Sequence, residues 1–456
     1  MRSSLWAAAL LVVALGLACT KENPRYCETC VDKDKSKGPR DAGPDGDASQ
    51  KGDASDASDA DDAADVAADG PADLADALMD LLPERPTCSL MSCAEATPIC
   101  DVDAGTCGRC TSGSECKARD ATKPGCDPTD GKCYPCATNA ECAAAAPICD
   151  AHLCRHCKAD SECGGPGVCA EDGTCATDAQ IFYVDFNPSG CAGADGSSAK
   201  PFCNPSDAVP GITAGRSIIV IRGPASGQLS IGTAVAPVTV LGRKNAAGLA
   251  ASIPLGVFTG VAVSAGHVVI RDLSFAGGTG PSAKGVAVSG ATSSATLRRL
   301  TIETGSGLGA QADTGASITV DQSILRNNQV GGLLVNGASY TVTNTVFDTN
   351  GYGVKFNLPK TPSLFVSNTI IGSVGSSVSC DPDNPQTLTG SIIVGVNDSC
   401  TVTDSLTTAP AFDASRYHLT APAPCPMGDP SMAPAYDIDG DPRPAGHVDC
   451  GADQFK

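Results

Sequence analysis

Val320-Asp-Gln-Ser-Ile-Leu325 and Val342-Thr-Asn-Thr-Val-Phe347 are two copies of one hexapeptide, and the 22 residues between their starts decide the fold. Four more copies read Ile270-Arg-Asp-Leu-Ser-Phe275, Leu297-Arg-Arg-Leu-Thr-Ile302, Val366-Ser-Asn-Thr-Ile-Ile371 and Leu388-Thr-Gly-Ser-Ile-Ile393. Successive starts lie 27, 23, 22, 24 and 22 residues apart. A bundle or a sandwich has no reason to hold such a spacing, whereas a solenoid must, because each coil stacks on the one before. Residues 316–337 align with 338–359 without a gap, which places Asn328 on Asn350 and Gly331 on Gly353.

Each unit is rich in Val, Ile, Thr and Ser, alternates apolar with polar, and is broken by Gly, Asn or Asp. That is a strand-and-turn pattern with no room for a crossover helix. It predicts an all-β parallel β-helix with about three strands per coil. At a coil spacing of roughly 4.8 Å, residues 180–455 would make about ten coils and a rod near 48 Å long. The polar position inside the motif holds Asp272, Arg299, Gln322, Asn344, Asn368 and Gly390. Asn344 and Asn368 are thus expected at equivalent places in neighbouring coils, as a structural amide ladder at a bend.

The flanks of the repeat carry a resemblance. Phe182-Tyr-Val-Asp-Phe186, then Asp195-Gly-Ser-Ser-Ala-Lys-Pro-Phe202 and Ala208, resembles the opening of bacterial right-handed parallel β-helix proteins. Asp437-Ile-Asp-Gly-Asp-Pro-Arg443 and Val448-Asp-Cys-Gly-Ala-Asp453 resemble that family's closing segment, and Pro410-Ala-Phe412 and Tyr417-His-Leu419 its last coils. The resemblance covers residues 180–456 and implies the pectate-lyase-like fold. It says little about activity, because fold and function separate readily.

Four segments follow from composition: 1–18, 19–87, 88–175 and 176–456. The first has a basic Arg2 and an apolar run over residues 5–18, a secretion signal too short to span a membrane. Cys19 after Leu15-Gly-Leu-Ala18 resembles the lipobox of bacterial lipoproteins, and Thr20 their outer-membrane sorting pattern. The expectation is a protein lipidated on Cys19 and anchored to the outer membrane or surface of a Gram-negative bacterium. Residues 19–87 are read as a disordered tether. Residues 41–80 hold thirteen Asp and a single basic residue, Lys51, and such a chain cannot bury enough apolar surface to offset its ordering entropy. This stretch carries a large share of the net charge of −20.

The chain has 25 cysteines, and setting Cys19 aside leaves an even number, as export and pairwise oxidation require. Sixteen lie in residues 88–175, in four sets of four: 88, 93, 100, 107; 110, 116, 126, 133; 136, 142, 149, 154; and 157, 163, 169, 175. Units of about 20 residues are too small for an apolar core and need staples. Disulfides within each set are preferred to zinc, despite the CxxC joints, because Gly and Asp turns replace finger-like helices. By cysteine spacing alone the array resembles extracellular repeats such as the N-terminal region of Dickkopf proteins and arrays in myxobacterial surface proteins. Cys191 with Cys203, Cys380 with Cys400, and Cys425 with Cys450 are proposed pairs, since these cysteines lie isolated around the apolar repeat.

Two functions compete. One is a non-catalytic β-helix for adhesion, recognition or surface architecture, with polysaccharide or an envelope protein as partner and no nucleic acid. The other is a polysaccharide lyase or glycosidase, whose chemistry needs paired carboxylates, or calcium with a basic proton acceptor. Polygalacturonase-like relatives carry Asn-Thr-Asp, Asp-Asp, His-Gly and Arg-x-Lys, and none of these lies in residues 176–456. The pectate-lyase Trp-x-Asp-His is also missing, because the one tryptophan is Trp6. No catalytic residue is therefore assigned, and the non-catalytic reading is preferred. Arg271, Arg298, Arg299 and Arg326 could form a row facing an acidic glycan, although solvated strand positions are the plainer reading. Tyr340, Tyr352 and Phe356 are the aromatics best placed to stack on sugars. Asp437, Asp439 and Asp441 offer oxygens to calcium; without the rest of an EF-hand loop, a capping turn is the simpler reading.

Overall fold

The computed structural model describes Cys88 and residues 93–186, 191–232, 237–361, 363–425, 432–444 and 448–456. These belong to one compact unit, residues 82–456. The signal segment, Cys19, Cys27, Cys30, the acidic tether and His447 lie outside the described residues.

The apolar alternation winds the chain around three parallel sheets of ten, seven and eight strands. One turn runs through Ser317–Asp321, Ile324–Arg326 and Gly331–Asn336, and the next through Ser339–Thr343, Val346–Asp348 and Val354–Asn357. Each strand pairs with its counterpart one turn on, as in Ile318 with Tyr340, Leu325 with Phe347 and Val335 with Phe356. The eight-stranded sheet gives one strand to each turn, so the solenoid has about eight turns rather than ten. Only the first sheet reaches ten strands, because Ile181–Asp185 and Thr401–Thr403 extend it at its two ends. Eight turns make a rod of about 38 Å.

Parallel pairing stacks like on like. Phe275, Ile302, Leu325, Phe347, Ile370 and Ile393 form one continuous column, each buried in the main core. Burial of each such side chain is worth about 1.5–3 kcal/mol. The core runs through the stack as one cluster, so stability spreads along it by neighbour contacts.

The bends correct the register of one motif. Asp272, Arg299, Gln322, Asn344, Ser367, Gly390 and Asp404 all have a left-handed φ between 46° and 64°, one per turn at the corner after the first sheet. In the fifth copy the bend residue is Ser367, one place before Asn368, since Val342 pairs with Phe365 and Thr343 with Val366. Asn344 and Asn368 are thus not equivalent. Asn368 instead stands with Thr345 and Ser391, and accepts the Thr345 amide at 2.9 Å while its own amide donates to Ser391 Oγ at 3.1 Å. The ladder exists there as a mixed Ser, Thr and Asn series, in which Ser323, Asn368, Ser391 and Ser405 each accept the preceding turn's amide while Thr345 donates to the Val320 and Thr343 carbonyls.

In the cysteine-rich region every set pairs first with third and second with fourth cysteine: 88–100 and 93–107, 110–126 and 116–133, 136–149 and 142–154, 157–169 and 163–175. The recurring Glu before the second cysteine has a structural reason. Glu115, Glu141 and Glu162 each accept backbone amides at the start of a short helical turn, from Ser112, Thr138 and Lys158 among others. The recurring Gly sits in a hairpin turn with positive φ, at Gly105, Gly131 and Gly173. Three further disulfides join Cys191 to Cys203, Cys380 to Cys400 and Cys425 to Cys450.

The last cysteine set docks on the first sheet. Val168 and Ala176 pack against Ile181, Tyr183, Ile218, Val220 and Leu241. Asp160 receives both nitrogens of the buried Arg271 at 2.9 Å, and Arg243 joins it at 3.3 Å.

Candidate functional site

The arginines of the row are paired with carboxylates. Arg271 is held on Asp160 and on Asp272 at 3.2 Å, and Arg299 grips Asp272 at 2.6 and 2.8 Å. Arg298 pairs with Asp321 at 3.5 Å and Arg326 with Glu303 at 3.2 Å. The parallel register itself makes these pairs, because Arg298 stands directly against Asp321 in the next strand. Each of these four positive charges is met by a carboxylate one turn away or next in sequence.

Two of the three chosen aromatics lie inside the solenoid. Tyr340 is buried, stacks on Phe356 with ring centres 4.5 Å apart, and donates its hydroxyl to Gln386 at 2.9 Å. Phe356 is fully buried. In the strand Ser339–Thr343 the inward positions are Tyr340 and Val342, so alternation alone sends the ring inward. Tyr352 is different. It lies at the corner between the seven- and eight-stranded sheets and lines an open groove of about 650 Å³.

That groove is built by three successive corners. Buried Asn328 and Asn350 sit beneath it and fix its shape: Asn350 Oδ1 accepts the Asn328 amide at 3.0 Å and its side-chain nitrogen at 2.9 Å, and Asn350 Nδ2 donates to the Leu325 carbonyl at 2.9 Å. Asn328 in turn accepts the Thr304 amide and hydroxyl, at 2.7 and 2.6 Å. Backbone bonds continue the stack at the corner, from Gly351 to Asn328 at 2.8 Å and from Gly375 to Gly351 at 2.7 Å. At Gly351 a Cβ would come within 2.0 Å of the Gln329 carbonyl, so only glycine lets the coils close here. A Cβ on Gly331 would fall 2.3 Å from the Tyr352 ring, which lies over that backbone.

With backbone satisfied internally, side chains make the lining: Asn327, Gln329, Val330, Thr349, Tyr352 and Val374. Burial pushes the Tyr352 hydroxyl up to about 12, so the phenol is neutral at physiological pH. Among the described residues the lining contains no carboxylate, imidazole or thiol, while Asn327 donates to Glu303 at 2.9 Å and Thr349 to Asp348 at 2.7 Å beside it. A surface of amide, hydroxyl, aromatic and aliphatic groups can stack and hydrogen-bond a neutral ligand.

The closing turn behaves chiefly as a cap. Asp437 is fully buried, and its Oδ1 accepts the amides of Asp439 at 3.0 Å and Asp441 at 2.9 Å. Asp441 is engaged by Lys456. The three carboxylates named for calcium are therefore split: Asp437 points its oxygen back to the turn, Asp441 to a lysine, and Asp439 to His418 at 3.1 Å.

The family described as "Right handed beta helix region" matches residues 260–409. The fold is a right-handed β-helix. No curated protein matches the chain. Among solved structures, the crystal structure of pectate lyase Pel9A is similar at 15% identity, covering 61% of this chain and 97% of that one, with a TM-score of 0.30. A likeness at that level carries no inference about activity. Among the described residues no helix is long and apolar enough to cross a membrane.

Sequence reasoning named Tyr352 but missed Gln329, Thr349 and Val374. The signal was present in the gapless alignment of residues 316–337 with 338–359, where Asn328 over Asn350 marks the corner the groove sits on.

Proposed function

We propose that this is an exported, lipid-anchored β-helix protein that binds a neutral polysaccharide in the Tyr352 groove without transforming it. One observation carries the reading: the groove is lined by amide, hydroxyl, aromatic and aliphatic groups and by no acid–base pair. A sugar presents an apolar face and a rim of hydroxyls, which is the complement of Tyr352 and Val374 beside Gln329 and Asn327. Pairing of Arg271, Arg298, Arg299 and Arg326 with carboxylates favours a neutral glycan over a uronic-acid polymer. The anchor rests on the Cys19 lipobox and its neighbour Thr20, and the eleven disulfides among the described residues suit an oxidising compartment. The tether and cysteine arm then hold the β-helix away from the membrane, with polysaccharide as partner.

The test is binding of the purified protein to neutral glucans, mannans and galactans and to pectate and alginate, with product analysis of every mixture. Binding to a neutral glycan that falls at least tenfold in Tyr352→Ala, and is unchanged in Arg299→Ala, supports the reading. Binding confined to uronic-acid polymers, or the release of unsaturated products or new reducing ends, overturns it.

A further inference from the structure

The closing segment folds back on the solenoid and brings His418, Asp439 and Asp453 together. The Gln322 side chain donates to the Asp437 carbonyl at 2.8 Å, and the Ala452 amide to Thr369 Oγ1 at 2.9 Å, which fixes the segment against two turns. His418 Nδ1 is then 3.1 Å from Asp439 Oδ2 and 3.8 Å from Asp453 Oδ1, and the three donor atoms lie within 4.8 Å of one another. The Asp453 side chain is only 5% exposed, while His418 and Asp439 are about one-third open, so the cluster has one solvent-facing side.

A second observation bears on the same corner. Asp437 is fully buried, and its Oδ2 has no hydrogen-bond partner. A buried carboxylate oxygen left unpaired is costly, and such an oxygen calls for a cation. Of the nearby cations, buried Arg443 feels the charge of Asp437 and has an Nε that is itself unpartnered, but no hydrogen bond joins the two. Lys456 is on Asp441, and Arg443 donates to the carbonyls of Asp449, Gly451 and Ala452. Asp439 and Asp453 therefore share one imidazole, and the charge of Asp437 acts on both carboxylates. Burial, with the charge of Asp437 adding to it, holds both Asp439 and Asp453 above the ordinary carboxylate range.

We infer that His418, Asp439 and Asp453 form a binding site for one zinc ion, with Asp437 supplying buried negative charge behind it. The donor set chooses the metal. Calcium takes oxygen ligands, six to eight of them, whereas one imidazole nitrogen and two carboxylate oxygens suit zinc. The spacing agrees. Two ligands about 2.1 Å from a tetrahedral ion stand about 3.4 Å apart, and the two separations from His418 Nδ1, 3.1 and 3.8 Å, bracket that value. Three protein ligands leave a fourth position open to water.

The experiment uses the full, tag-free, fully oxidised protein, so that no cysteine competes for metal. Isothermal titration at pH 7.5 with zinc, and separately with calcium, reads stoichiometry and affinity. One equivalent of zinc, bound at least tenfold more tightly than calcium, is expected. Zinc affinity should fall at least tenfold in His418→Ala and again in Asp439→Asn, the more exposed partner, with circular dichroism confirming that both variants fold. No stoichiometric zinc, zinc binding unaltered in both folded variants, or a preference for calcium would each overturn the assignment.

Discussion

Replacing Asn350 by Ala removes the hinge pin of the groove corner. Asn350 is fully buried and makes three hydrogen bonds, two accepted from Asn328 and one donated to Leu325. The substitution leaves the Asn328 amide without a partner and takes one side-chain bond each from Asn328 Nδ2 and the Leu325 carbonyl. The stranded amide costs about 1–3 kcal/mol and each lost bond about 0.5–1.5 kcal/mol, so the corner should lose about 4 kcal/mol. The Asn328 side chain stays held by Thr304 and by the Ile302 carbonyl, which keeps the damage local. Asn344→Ala is the control. Its side chain makes two long contacts, to Asp321 and Arg443 at 3.3 Å each, and its left-handed φ of 46° adds about 1 kcal/mol of strain for Ala, giving about 1–2 kcal/mol in all. A stacked chain with a disulfide arm is a poor subject for a single unfolding free energy, so the assay is hydrogen exchange read peptide by peptide. Amides of residues 324–357 should exchange about a thousandfold faster in Asn350→Ala, and those of residues 218–243 should not change. If Asn344→Ala accelerates exchange as much as Asn350→Ala, or if neither does, the ladder does not hold the corner.

Two further outcomes follow from other parts of the molecule. Burial pushes the Asp160 carboxyl up, but its bonds to Arg271 and the Cys169 amide more than offset this and hold it below the ordinary range. A depressed folded value stabilises above the unfolded pKa of about 3.9 and is lost as pH falls through the folded value, so the docked cysteine set should loosen only below about pH 4. Exchange across residues 163–176 should rise there, and Asp160→Asn should show the rise at neutral pH; a wild type unchanged from pH 6 to pH 3 would refute the clamp. Cys19→Ser should appear in the soluble fraction on cell fractionation, and a membrane-bound Cys19→Ser protein would end the lipid-anchor proposal.

Much of the fold was legible because a solenoid writes its period into the chain. The 22-residue spacing and the column from Phe275 to Ile393 are two views of the same physics, since parallel pairing puts each apolar residue over its counterpart. The slip at the fifth motif shows the limit. Phe365-Val366 and Ile370-Ile371 are both apolar pairs, so hydrophobicity alone cannot say which member points inward, and a one-residue shift looks equally good. The bend decides it, because the left-handed residue must follow the strand, and here that residue is Ser367, a type with no special preference for the conformation.

The site was legible only where residue type and position agree. Arginines on strands read as exposed charges, yet Arg271 is buried because a cysteine module from over a hundred residues earlier in the chain lays Asp160 on it, and no local pattern announces that contact. Tyr340 and Tyr352 are twelve residues apart in one repeat and look alike in sequence. One falls in a strand, where alternation turns it inward, and the other at a corner, where the backbone is already satisfied by the Asn328–Asn350 pair and the ring is left over the groove. The groove-facing positions here are therefore corner residues beside a buried amide. The same reasoning separates the closing turn, where Asp437 holds the backbone and Asp439, two places on, is free to face His418. In such a chain the structural residue and the one available for chemistry are near neighbours, and telling them apart requires knowing which backbone groups still need a partner.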